Sequence, residues 1–266
     1  MQKYNKSFSN RILNQSMYKF SSKSNLLLKD KIVAYNNGIN WRIVPLDIFL
    51  RYPVLHDKYF ENDKNIGIPI TIAVCPFTLA SCVFEGTYYP SEYLLHSSLV
   101  LTDIESNLLP IITGHSINPN GDSNKIKRWE CKIKIFRNAI SDYPDCQFIN
   151  ININLEKSIL EDDYYYNNII EFPNKRNFID ESNIHPKTLV HILQYKSSKT
   201  LSQKNVIIVG SDANPTIPTG FDVRKSGLLD YIKIMEFKLK EKSSFMIPIL
   251  WFSYKNFYPN AKIIQL

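Results

Sequence analysis

The sequence predicts an α+β protein that is strand-rich and built from two divergent repeats, each made of a small sheet plus a helix. Two observations predict this class. Short apolar runs bounded by Asn, Gly and Pro recur along the chain, and one pattern of helix end followed by strand occurs twice. With 266 residues and 44% hydrophobic content, the chain is long enough to bury a sizeable core.

The first hairpin is predicted around a three-residue turn signal. Apolar runs at residues 26–35 and 43–49 flank Asn36-Asn37-Gly38, and these turn residues favour positive backbone φ angles. Pro45 suits the start of a helix, so we expect a short helix that runs through Arg51.

The most informative stretch is residues 68–86, an apolar run that Cys75-Pro76 interrupts. Pro76 forces the residue before it into an extended conformation and removes one backbone donor, which predicts a strand, a tight turn and a second strand. We expect this turn to bring the polar side chains of Cys75, Thr78 and Ser81 together at the mouth of a sheet.

The rest of the first half is predicted to continue as strands with one helix. The predicted elements are a strand at residues 94–102 that ends at Asp103, a turn at 105–107, a strand at 108–113, a helix at 128–142 and a strand at 146–153. The helix is predicted because Trp129, Ile133 and Phe136 fall at helical spacing. Tyr143-Pro144 would end it.

The second half repeats the end of the first. After predicted strands at residues 189–195 and 205–209, residues 253–264 resemble residues 138–149. In each segment a helix with a Trp upstream ends at Tyr-Pro and a strand follows, which indicates an internal duplication, with chance reuse of the same helix-ending residues as the alternative. The predicted organisation is a basic N-terminal extension at residues 1–25, a first repeat at 26–154, a connecting segment at 155–180 and a degenerate second repeat at 181–266.

The net charge of +7 raises the question of an anionic partner. Residues 1–29 are basic and Ser-rich with no acidic residue, a composition that resembles an organellar transit peptide; an N-terminal extension without a targeting role is the simpler interpretation. The cations of residues 125–137 alternate with apolar residues around Trp129, which favours the solvated face of a helix over nucleic-acid binding. The expected partner is therefore a small molecule or a protein.

Composition excludes several other classes. Four cysteines without short spacing favour reduced thiols over a disulfide scaffold or a zinc ribbon. No segment approaches the roughly 18–20 apolar residues that cross a bilayer. We expect an intracellular, cytoplasmic protein, with an organelle as the alternative, and we predict neither a cofactor nor a metal.

Several segments together carry a resemblance to a known family. They are Gly67-Ile-Pro-Ile-Thr-Ile-Ala-Val-Cys-Pro-Phe-Thr-Leu-Ala-Ser81, residues 94–103, Ile112-Thr-Gly-His-Ser-Ile117 and Asp142-Tyr-Pro-Asp145. Their order resembles the family catalogued as domain of unknown function 3179, over nearly everything after about residue 26. The resemblance implies the two-repeat fold and its boundaries, since the family's activity is uncharacterised. Family members often carry Cys-Pro-Leu-Cys, but Thr78 replaces the second Cys here, so a dithiol or metal pair is not implied; Asp103 matches the family pattern.

Two functions of different classes fit these residues. The first is a binding module with a pocket around Cys75. Its expected ligand-binding residues are Thr78, Ser81, Ser98, Asp103 and His115.

The alternative is a thiol-dependent enzyme in which Cys75 is the nucleophile or redox thiol and His96 or His115 is the base. Cys75 as a buried structural residue is the simpler interpretation of the same turn. A mononuclear metal site that uses Cys75, the two histidines and Asp103 or Glu85 is less favoured, because no two of these ligands have metal-binding spacing.

Overall fold

Strands dominate the structure. The computed structural model describes residues 1–3, 10–61, 66–157, 159, 189–196, 203–209, 245–257 and 262–265. The described strands form four sheets, which we call A to D, and three short helices lie among them. The expectation of a strand-rich protein is confirmed.

Sheets A and B belong to the first half of the chain. Sheet A has the order β1 (Gln2–Lys3), β9 (Tyr89–Leu95), β10 (Ser98–Thr102), β11 (Leu108–Pro110), β12 (His115–Ile117) and β13 (Ser123–Lys125), and all its neighbours are antiparallel. Sheet B has the order β14 (Arg128–Trp129), β8 (Ser81–Glu85), β7 (Ile68–Val74), β6 (Val54–Tyr59) and β2 (Ile12–Leu13), and only β6 and β2 are parallel.

The other two sheets each carry a helix. Sheet C has the order β15 (Cys131–Ile135), β4 (Lys31–Asn36), β5 (Trp41–Pro45), β16 (Gln147–Ile151) and β3 (Tyr18–Ser21). Sheet D has the order β19 (Phe245–Leu250), β17 (Leu189–Lys196), β18 (Gln203–Val209) and β20 (Lys262–Gln265). The helices are α1 (Leu46–Arg51), α2 (Phe136–Asp142) and α3 (Trp251–Phe257).

The first predicted hairpin forms as expected. Strands β4 and β5 pair antiparallel, and the turn between them contains Gly38 at a φ of +91°. The side chain of Asn37 stabilises this turn, because its Oδ1 accepts the backbone N–H groups of Ile39 and Asn40. Helix α1 begins directly after Pro45, as predicted.

The predicted helix at residues 128–142 is wrong over its first eight residues, which include strands β14 and β15. In β15 the side chains of Cys131 and Ile133 are buried, whereas the intervening Lys132 is half-buried. This alternation has the period of two that a strand requires. Only residues 136–142 are helical.

The single strand predicted at residues 94–102 is also wrong, because the chain reverses within it. Leu95 and Ser98 are paired in register, and His96 and Ser97 between them form a two-residue turn. Both turn residues have positive φ angles, +47° and +68°, as a type I′ hairpin turn requires.

Sheets C and D share one strand pattern. In the order β15-β4-β5-β16 the successive pairs are antiparallel, antiparallel and parallel. The order β19-β17-β18-β20 has the same sequence of orientations. A shift of 115 residues, which carries Pro144 onto Pro259, also carries α2 onto α3.

Sheet B separates the two larger cores. On one face Ala73 and Phe84 pack with side chains of sheets A and D and with the fully buried Trp251 of α3. On the other face Ile72 and Val83 pack with side chains of sheet C. Full burial of each large apolar side chain contributes about 1.5–3 kcal/mol.

A third, smaller core lies between α2 and sheet C, around Phe136 and Ile32. None of the described helices is both long enough and apolar enough to cross a lipid bilayer.

Candidate functional site

The Cys-Pro turn joins β7 to β8 and is closed by its own backbone. The N–H of Cys75 donates to the carbonyl of Ala80, and the N–H of Leu79 donates to the carbonyl of Cys75, both at 2.8 Å. Leu79 has a φ of +56°, an uncommon value for a branched side chain. Cys75 and Thr78 have no exposed surface, so the turn lies inside the protein.

Three of the predicted site residues meet at this turn. The N–H of Leu99 donates to the sulfur of Cys75 at 3.2 Å, and the thiol lies 3.9 Å from the carbonyl oxygen of Ser97. Thr78 Oγ1 donates to Ser98 Oγ at 3.3 Å. Cys75, Thr78 and Ser98 therefore form one buried polar cluster. Its hydrogen-bond partners are mainly its own members and the residues in and beside the β9–β10 turn.

The environment of the Cys75 thiol disfavours the thiolate. Burial raises the pKa of Cys75, while its hydrogen bonds with Thr78 and the N–H of Leu99 act in the opposite direction without offsetting it. Reactive cysteines have a lowered pKa and are partly exposed. The geometry is that of a structural thiol.

His96 occupies the turn that contacts this cluster. Its carbonyl oxygen accepts a hydrogen bond from Ser253 Oγ at 2.8 Å, and its ring lies edge-on to Phe257 at 4.7 Å. The N–H of Leu250 also donates to the carbonyl of Thr78 at 2.7 Å. The end of β19 and helix α3 thus pack onto the Cys-Pro turn and the β9–β10 turn.

The remaining predicted residues lie elsewhere. Ser81 lies beside the thiol of Cys131 in the other core, and within the described residues its buried hydroxyl has no nitrogen or oxygen partner. His115 lies on β12, which is two strands and therefore about 10 Å from β10. Asp103 follows the far end of β10, about 13 Å along the strand from Leu99. Ser81, Asp103 and His115 therefore do not join the predicted convergence on Cys75.

Asp103 instead lines a surface groove of about 430 Å³ at the other end of sheet A. The β10–β11 turn and the β12–β13 turn meet there, because alternate turns of an antiparallel meander lie at the same end of the sheet. Tyr88, which precedes β9, completes one wall. The polar lining consists of Asp103, Glu105, Ser116 and four asparagines, Asn107, Asn118, Asn120 and Asn124.

The wall formed by Asp103 is fixed by internal hydrogen bonds. Asp103 Oδ1 accepts the N–H groups of Glu105 and Asn107 at 3.0 and 2.9 Å, and Oδ2 accepts Asn107 Nδ2 at 2.8 Å. Across the groove, Asn118 Oδ1 accepts the N–H of Asp122 at 2.9 Å. Both turns are therefore held in place before any ligand arrives, which lowers the entropic cost of binding.

Tyr88 is positioned by two residues that lie side by side on adjacent strands of sheet B. Its N–H donates to Thr71 Oγ1 at 3.0 Å, and its carbonyl lies 2.7 Å from His56 Nε2. His56 and Thr71 are cross-strand partners in register. Burial raises the pKa of Tyr88, and the carboxylates of Asp103 and Glu85 raise it further, so its hydroxyl is protonated and can donate.

The groove is not predicted from single elements, although the sequence contains a signal for it. Two turns rich in Asn and Asp, at residues 103–107 and 118–124, carry nearly all of the polar lining. Their proximity depends on the strand order of sheet A, which the sequence pattern did not supply.

No protein-family model, curated protein or solved structure matches this chain. Within the described residues, no group of three or more His, Cys, Asp or Glu side chains is arranged to hold a metal ion.

Proposed function

We propose that this protein is a small-ligand-binding module whose ligand occupies the groove at the Tyr88 end of sheet A. The observation that carries the proposal is the lining of the groove, where amide, carboxylate and hydroxyl groups from two preformed turns surround a volume within the usual range of ligand sites. The site shares Asp103 with the pocket predicted from the sequence and lies away from Cys75.

The alternative of a thiol-dependent enzyme receives less support. The Cys75 sulfur is fully buried, and burial raises its pKa. An enzyme of this kind would need the opposite electrostatic setting and a path to solvent.

The charge of the groove also guides the choice of ligand. The protein carries a net charge of +7, yet the described residues that line the groove include Asp103 and Glu105 and no Lys, Arg or His. A ligand rich in phosphate would meet like charge there. We therefore expect neutral or cationic small molecules to be preferred over nucleotides and nucleic acid.

A ligand-observed NMR screen of polar metabolites against the full chain tests this proposal. We expect binders to lose their signal changes when Asn120 and Asn124, both exposed, are replaced by alanine together. The exposed Asn154, outside the groove, is the matched control, and Asn154→Ala should leave binding unchanged. Binding that survives the double substitution would place the site elsewhere.

We also propose that the chain contains two divergent repeats. The common strand pattern of sheets C and D and the shift of 115 residues between α2 and α3 support it. The segments between the hairpin and the last strand-helix-strand unit differ in length, residues 46–130 in the first half against 210–244 in the second. The resemblance to domain of unknown function 3179, the domain boundaries and the cellular location stay predictions.

A further inference from the structure

Two side chains of the groove that carry hydroxyl groups are largely buried as whole residues. Ser116 is 8% exposed and Tyr88 is 7% exposed. Neither hydroxyl makes a hydrogen bond within the part of the chain that the structure describes. Neither oxygen is among the enclosed, unpaired polar atoms of the described residues, so both reach the solvent of the groove and can donate to or accept from a molecule bound there.

The amides above them add donors and acceptors side by side. Asn124 lies directly opposite Ser116 in the β12–β13 register, and Asn120 lies in the adjoining turn. The side chains of both asparagines make no hydrogen bond to another described residue. Each amide offers two N–H donors and one oxygen acceptor. The groove thus presents donors and acceptors in comparable numbers.

Charged ligands fit this set of groups less well. Asp103 already accepts three hydrogen bonds from its own turn, and Glu105 Oε2 accepts one from Asn107 Nδ2 at 3.3 Å, so both carboxylates use part of their acceptor capacity within the turn. An anion would find no cationic side chain among the described residues of the lining. An apolar ligand would displace water from the hydroxyls of Ser116 and Tyr88 and leave both without a hydrogen bond.

We infer that the ligand is a neutral polyol, a molecule with neighbouring hydroxyl groups such as a carbohydrate; this inference rests on the proposal that the groove is the ligand site. A hydroxyl donates and accepts at once, so a pair of them matches an amide on one side and a hydroxyl on the other. The rings of Tyr88, Pro119 and the side chain of Ile126 supply apolar surface for the C–H groups of the same ligand.

The test is a titration of the isotope-labelled full chain, followed by backbone amide NMR. The probes are neutral mono- and disaccharides of glucose, galactose, mannose, xylose and N-acetylglucosamine, with spermidine as the cationic probe and adenosine monophosphate as the anionic one. We expect a neutral sugar to shift the amide signals of Ser116, Asn120 and Asn124. Tyr88→Phe and Ser116→Ala each delete one hydroxyl and should weaken that affinity about tenfold, whereas Asn154→Ala should not change it.

The outcomes separate the ligand class from the site. If spermidine or adenosine monophosphate shifts the groove amides and no sugar does, the polyol inference is wrong and the groove remains a ligand site. If a sugar binds but both hydroxyl deletions leave its affinity unchanged, the polyol inference is also wrong as argued. If no probe of any class shifts the groove amides, both the inference and the proposed function fail.

Discussion

Gly38 and Gly121 provide a controlled test of how close packing adds to backbone strain. Both have nearly the same backbone angle, a φ of +91° at Gly38 and +92° at Gly121. A Cβ atom at Gly38 would overlap the carbonyl oxygen of Phe60 and lie 2.8 Å from its carbonyl carbon. A Cβ atom at Gly121 would have no neighbour within 4 Å.

The two alanine substitutions should therefore differ in stability although their strain is equal. Strain at positive φ costs each about 1–2 kcal/mol. At Gly38 the backbone of Phe60 must also move, which adds roughly 1–3 kcal/mol for overpacking. The same movement would weaken the 2.8 Å hydrogen bond from the N–H of Phe60 to the carbonyl of Asn37. Such a bond contributes about 0.5–1.5 kcal/mol to the free energy of unfolding. We expect Gly38→Ala to cost about 2–4 kcal/mol more than Gly121→Ala.

The assay is urea unfolding of the wild-type protein and both variants, followed by circular dichroism. One common slope of the free energy of unfolding against urea concentration is fitted to all three proteins. Thermal unfolding should place the Gly38→Ala midpoint lower by about 2–4 °C for each kcal/mol. Equal losses in the two variants would refute the reasoning, because strain alone would then account for both. A larger loss for Gly121→Ala would show that its turn is packed more tightly than the structure indicates.

Three further predictions concern the β9–β10 turn, the buried Cys75 and the His56 side chain that positions Tyr88. Ser97→Gly should stabilise the protein by about 0.5–1 kcal/mol, because glycine relieves the strain at a φ of +68°, while Ser97→Ala should not. The urea unfolding midpoints of the two variants test this prediction, and equal midpoints would contradict it. Native Cys75 should react with iodoacetamide only as fast as the protein unfolds, since it is fully buried. Labelling resolved by mass spectrometry measures this rate, and fast labelling of Cys75 in the folded protein would favour the thiol-dependent enzyme instead. Burial lowers the folded-state pKa of His56 below its usual 6.5, and the hydrogen bond with the Tyr88 carbonyl opposes this shift. The folded state therefore binds fewer protons than the unfolded state. The contribution of His56 to the free energy of unfolding is fully present above about pH 6.5 and falls as pH decreases toward the folded-state pKa. His56→Gln should flatten this part of the stability profile, and an unchanged slope would exclude His56 as its source.

Local patterns predicted most of the elements that depend on turn chemistry. The Asn36–Gly38 turn, the start of α1 after Pro45 and the Cys-Pro turn were all read from residues that restrict φ or remove a donor. The error at residues 128–135 has a physical cause. The same short stretch satisfies a helical spacing through Trp129 and Ile133 and a strand spacing through Cys131 and Ile133, and the pairing of β15 with β4 decides between them.

The candidate site was harder to predict than the elements. Ser98 and Cys75 meet because the turn at His96 and Ser97 reverses a chain that reads as one continuous strand. Two consecutive positive φ angles normally favour Asn-Gly, so His-Ser gave no turn signal. The groove around Asp103 was missed for another reason, because its turns are joined only through the strand order of sheet A.

Local sequence patterns are sufficient to predict the strand-rich class and the positions of several turns, because backbone restriction by Pro, Gly and Asn and the alternation of apolar residues act over a few neighbouring residues. The enclosure of Cys75 beneath helix α3 and the place of Asp103 in a polar groove are properties of the assembled fold. Both outcomes depend on which strands pair and which sheets pack together. That choice is made by contacts between residues distant in the chain, which no local pattern records.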